Sequence, residues 1–127
     1  MLIASDQTFI WVTFQKEGIH CYPMAKNIDG VEFLAHPHRH MFHFKVVIQV
    51  FHDDREIEFI LFKRELENLY QNETLQLNYK SCEMIARELL QYLDSNYGSM
   101  DRHRHVEIIV SEDNENGAIL KAVINGS

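Results

Sequence analysis

His38-Arg39-His40-Met41-Phe42-His43-Phe44-Lys45-Val46-Val47-Ile48-Gln49-Val50 alternates from end to end. Successive residues of an extended chain project to opposite sides. His38, His40, Phe42, Phe44, Val46, Ile48 and Val50 share one side; Arg39, Met41, His43, Lys45, Val47 and Gln49 share the other, more polar one. That period of two predicts a strand with one face in a core. Upstream, Thr8 to Gln15 is aromatic and β-branched and reads as a second strand. Gly18 interrupts it, Ile19 to Tyr22 extends it, and Pro23 stops the ladder. Residues 24–35 form a connection, with turn chemistry from Asn27 to Gly30. Downstream, His52 to Arg55 reads as a turn and Glu56 to Leu61 as a returning strand, making a hairpin. The period then changes. Phe62, Leu66, Leu69 and Tyr70 mark one face of a short helix, and a polar segment from Gln71 to Lys80 follows. Ser81 caps a second helix with the stripe Ile85, Leu89, Tyr92 and Leu93, ended by Gly98. His105 to Ser111 alternates again, and Ala118 to Ile124 supplies a last strand. The predicted order is β-β-α-α-β-β, an antiparallel α+β sandwich with both helices on one face of the sheet.

The remaining composition narrows the function. A chain of 127 residues fits one domain, spanning residues 1–127. Hydrophobic residues make up 46%, including eight Phe, five Tyr and one Trp, enough for a real core. A net charge of −7 argues against binding a nucleic-acid backbone. No apolar run approaches the roughly 20 residues of a membrane span. Met1 to Asp6 lacks the basic start of a signal peptide, and two Cys make no disulfide framework, so a cytoplasmic protein is expected.

Histidine is the unusual count, at eight. His38 and His40 project to the same side of their strand, so their rings can converge on one ion, and His20 can supply a third ligand. Three neutral His with an open position is the arrangement of a catalytic Zn²⁺ site. The same cluster also reads as a solvated His-rich surface, in which His36 competes for any ligand role. His43 is out of phase with the pair. His103 and His105 repeat the spacing, but Arg102 and Arg104 flank them and oppose a cation.

The ordered set of motifs resembles the 6-pyruvoyltetrahydropterin synthase and 6-carboxytetrahydropterin synthase (QueD) family. Gly18-Ile19-His20-Cys21-Tyr22-Pro23 is similar to the end of that family's first strand. His38-Arg39-His40-Met41-Phe42 is similar to its His-Gly-His plus aromatic, and Glu58-Phe59-Ile60-Leu61-Phe62-Lys63 to its Asp-Phe-x-x-Leu-Lys strand-to-helix junction. Ser81-Cys82-Glu83 is similar to its Thr-(Ser/Ala)-Glu helix start, and Val110-Ser111-Glu112-Asp113 occupies the place of its last motif, whose Glu grips the pterin. The likeness runs over about residues 8 to 120.

The resemblance implies a tunnelling fold, in which four-stranded sheets join edge to edge into a barrel of trimers or higher rings with sites between subunits. It implies Zn²⁺ on His20, His38 and His40, a pterin- or purine-like ligand on Glu112, Ser81, Cys82 and Glu83, and carbon–oxygen lyase activity on a dihydropterin-like substrate. Two proton-transfer parts of the family are replaced here: its Cys by Leu34, and its Asp-His pair by positions near Thr74 and Leu75. Proton movement then falls to Cys21, His43 or Asp113, although Cys21 faces away from His20 unless the strand bulges. Arg39 replaces the family's Gly, either to bind an anionic ligand group of a neighbouring subunit or as a surface charge paired with Glu56 or Glu58. Two other functions fit the same residues: a binding module that performs no chemistry, and a structural oligomer with an emptied pocket.

Overall fold

The computed structural model describes residues 5–127. The strand read from His38 to Val50 forms as β2, His38–Val50. It lies at the centre of a sheet whose other strands are β1 (Thr8–His20), β3 (Thr74–Asn78), β4 (Arg104–Glu112) and β5 (Asn116–Ile124), in the order β3-β1-β2-β4-β5. Two helices, α1 (Phe59–Asn68) and α2 (Cys82–Tyr97), complete the α+β fold. Phe42, Phe44, Val46 and Ile48 are buried, as the alternation predicts. Each such side chain contributes about 1.5–3 kcal/mol by leaving water. Phe14 stands opposite Phe44 in the ladder and stacks on it, ring centres 4.6 Å apart, with Tyr70 tilted against both. Phe62 and Leu66 of α1, Ile85, Ala86, Leu89 and Leu93 of α2, and Val106, Ile108 and Val110 of β4 join the same core. Both helices therefore cover one face of the sheet.

Two predicted segments are corrected. Glu56 to Leu61 forms no returning strand: residues 51–58 are a loop and α1 begins at Phe59. The Glu58 carboxylate accepts the N–H groups of Ile60 and Leu61, satisfying donors that a first helical turn leaves free. The loop is held elsewhere. Glu56 accepts from the Phe51 N–H at 2.6 Å and from Arg104 at 2.9 Å, while Arg104 also donates to the carbonyls of Gln49 and Tyr97. The second correction lies between the helices. Thr74–Asn78, inside the segment read as polar, adds a fifth strand parallel to β1, with Leu75 and Leu77 buried. The order is thus β-β-α-β-α-β-β and the sheet is mixed.

The second helix is as predicted: Ser81 caps it by accepting from the Met84 N–H, and Gly98 follows its last turn. No helix among the described residues is long and apolar enough to cross a membrane.

Candidate metal centre

The end of β1 and the start of β2 are paired in register, His20 opposite His38 and Gly18 opposite His40. All three histidines stand on the helix-covered side, where the even-numbered row of each strand points. Gly18 lets the chains close up: a Cβ there would lie 2.8 Å from both Leu77 and Phe42 side-chain atoms. The rings of His20, His38 and His40 meet edge to face, centres 4.7–5.5 Å apart, and one nitrogen from each lies within 4.8 Å of the others.

Each ring is held by its Nδ1. The His20 Nδ1 is 2.8 Å from the Lys80 carbonyl, the His38 Nδ1 is 2.8 Å from the His36 carbonyl, and the His40 Nδ1 is 2.6 Å from Asp113 Oδ2. A carbonyl or carboxylate oxygen only accepts, so each Nδ1 carries the proton, and in a neutral imidazole the lone pair is then on Nε2. The Nε2 atoms of His20 and His40 are buried and have no hydrogen-bond partner. Beside them is Glu112, with Oε1 3.0 Å from His20 Nε2 and Oε2 3.5 Å from His40 Nε2. Electron pairs and a carboxylate thus face one another with no donor between them, an arrangement that is unfavourable until a cation enters. The donor set, three imidazoles beside a carboxylate, could hold a transition-metal ion.

A cavity of about 580 Å³ opens onto this cluster, lined by His20, His38 and Glu112. Ser81, Cys82 and Glu83, at the start of α2, line it too. Cys21 also lines it: β1 ends at His20, so Cys21 lies just past the strand, and the irregularity in the β1–β3 pairing falls on β3, where Leu77 is the extra residue. The Cys82 thiol is pushed up to about 12, by burial first and then by the carboxylates of Glu112 and Glu83, so it remains protonated at neutral pH. Leu34 lines the cavity, whereas Thr74 and Leu75 do not. Thr74 instead donates to Glu17, and Leu75 is in the core.

Other sequence candidates lie apart from the cluster. His43 lines a larger cleft of about 680 Å³ with Lys45, Ser111 and Asn114, where no set of metal-ligating groups converges. Arg39 pairs with Glu17 at 2.6 Å, across the β1–β2 ladder, rather than with Glu56 or Glu58. His36 contributes its carbonyl and not its ring, and His103 and His105 join no ligand group among the described residues. Asp113 meets His40 at Nδ1, a contact between residues 73 positions apart that no local spacing signals.

A scan against protein-family models returns no match to this chain, and a search among curated proteins returns none.

Proposed function

We propose that this protein binds Zn²⁺ through the Nε2 atoms of His20, His38 and His40, and that the adjoining cavity takes a pterin- or purine-like heterocycle. The support is twofold: the three Nδ1 contacts leave Nε2 as the free nitrogen of each ring, and one ring nitrogen from each residue lies within 4.8 Å of the others. For activity we infer a lyase of the kind its motifs resemble, acting on a dihydropterin-like substrate. Zinc, when bound, supplies a Lewis acid able to polarise a substrate oxygen. The chain's own residues do the remainder. The Glu112 carboxylate accepts a paired N–H edge, which distinguishes a guanine-like from an adenine-like face because a mismatch leaves a charge unpaired. Cys82 offers a protonated thiol, and Cys21 is the cavity group placed to carry a proton. We further propose that the chain works as a homo-oligomer: β3 and β5 are free sheet edges, open to pairing with another copy.

One observation favours the second reading, a module that binds without reacting: Leu34 lines the cavity where the resemblance places a Cys. Incubation with dihydroneopterin triphosphate followed by chromatography separates the two. Conversion that is lost in His38→Ala, together with about one zinc per chain in the parent, supports the lyase. Unchanged compound that co-elutes with the protein supports the module. Protein without zinc after metal-replete purification refutes the centre itself.

A further inference from the structure

The geometry points to Glu112 as a fourth protein ligand, making the resting centre a closed set of three imidazoles and one carboxylate. This rests on the three-His reading above and adds to it an observation of its own, the position of the carboxylate. Zinc holds nitrogen and oxygen donors at about 2.0–2.2 Å, so neighbouring corners of a tetrahedral site are roughly 3.3–3.5 Å apart. Glu112 Oε1 stands 3.0 Å from His20 Nε2, somewhat inside that spacing, and Oε2 stands 3.5 Å from His40 Nε2, at its outer end. Neither contact serves as a hydrogen bond. Both Nε2 atoms are without a partner; at 3.0 Å from His20 Nε2 the oxygen is within reach, so the carboxylate lies off the axis of that ring nitrogen. A donor beside the lone-pair axis, rather than on it, is what adjacent ligands of a common ion present to each other.

The backbone keeps the carboxylate there. Glu112 is the last residue of β4 and stands opposite Phe42 in the ladder, two residues from His40 on the same face of β2. The next residue, Asp113, donates its N–H to the Met41 carbonyl at 2.7 Å, so the chain cannot swing away where β4 ends. Structural zinc sites are closed by four protein ligands, whereas catalytic ones leave a position open. With Glu112 in place, a heterocycle that takes the carboxylate must draw it off the ion. Ligand capture and opening of the centre are then one event.

Cobalt and azide test this. Parent protein, Glu112→Ala and Glu112→Gln are each loaded with Co²⁺, the visible spectrum is followed during azide titration, and zinc affinity is measured by competition with a chromophoric chelator. The parent spectrum should not respond to azide. The Glu112→Ala spectrum should shift as the anion occupies the vacated position, and zinc affinity should fall at least about tenfold in both variants. Glu112→Gln keeps the side-chain size, so its loss, with an unchanged circular dichroism spectrum, excludes misfolding. Equal azide response in parent and Glu112→Ala, with zinc affinities within about twofold, overturns the fourth-ligand assignment and leaves the three-His centre standing. Absence of metal uptake by the parent overturns both.

Discussion

Asp113 is the residue on which the orientation of the centre turns. It stands in the left-handed backbone region, φ 53°, which Asp and Asn tolerate better than most residues. Its N–H donates to the Met41 carbonyl, its Oδ1 accepts from the Met41 N–H at 2.9 Å, and its Oδ2 accepts from His40 Nδ1. The Met41 N–H first, and the His40 ring after it, hold its carboxyl below the usual carboxylate range. An ionised acceptor on Nδ1 fixes the tautomer and raises the basicity of the opposite nitrogen. Asp113→Asn keeps the shape and the left-handed turn but removes the charge. Zinc affinity should fall about 10–100-fold with little change in the fold, measured by chelator competition. Were Asp113 a proton carrier instead, one of the three groups left for that role in the sequence, zinc affinity would hold and only turnover would drop.

The loop between β2 and α1 makes the same point for an element. Arg104 donates to Gln49, Tyr97 and Glu56, and its guanidinium lies 4.8 Å from the Phe51 ring centre, so one cation joins the ends of β2, β4 and α2. Burial works to raise the Glu56 carboxyl, but the Phe51 N–H and Arg104 outweigh it and hold it below the ordinary 4.5. A depressed folded-state value means the contribution is complete above that ordinary value and is lost as pH falls through the lower one. Glu56→Gln should therefore cost roughly 1–3 kcal/mol in urea unfolding at neutral pH. The gap between parent and variant should narrow as pH falls below 4.5 and through the depressed folded-state value; a gap that stays the same size once the carboxyl is protonated would show that the charge is not responsible. The same segment explains where the sequence misled. Ile57, Phe59 and Leu61 alternate like a strand, yet Phe59, Ile60 and Leu61 are all exposed, and the Glu58 cap starts a helix instead. In Thr74–Asn78 the alternation was present, with Leu75 and Leu77 buried between polar neighbours, but five residues are too short to stand out from a polar run. The apolar row of β2 and the cap and stripe of α2 were legible because each repeats over several turns or residues. The His20-His38-His40 grouping was legible as a spacing; the carbonyls and carboxylate that set its tautomers come from remote positions.

For the whole molecule, the consequence is that metal and fold should be thermodynamically linked. The proposed ligands sit on β1 and β2, with Glu112 on β4, and all three strands carry core residues on the same face. The Lys80 carbonyl and the Asp113 carboxylate in the turn after β4 orient two of the rings, so the full site requires residues 20 to 113 to be folded together. The unfolded chain presents the same side chains without that convergence and binds the ion weakly. An ion that prefers the folded state stabilises it by RT ln(1 + [L]/Kd), about 2.7 kcal/mol at a hundredfold excess over Kd. In a domain of this size each kcal/mol moves the melting temperature by roughly 3–5 °C, so zinc should raise it on the order of 10 °C. Calorimetry with and without zinc measures this, and His38→Ala is the control. That variant should retain a folded transition while losing most of the zinc response, because His38 lies at the entrance of β2 and outside the buried core. An equal rise in parent and His38→Ala would place the ion elsewhere on the chain, and the convergence at the end of the sheet would then have no thermodynamic consequence.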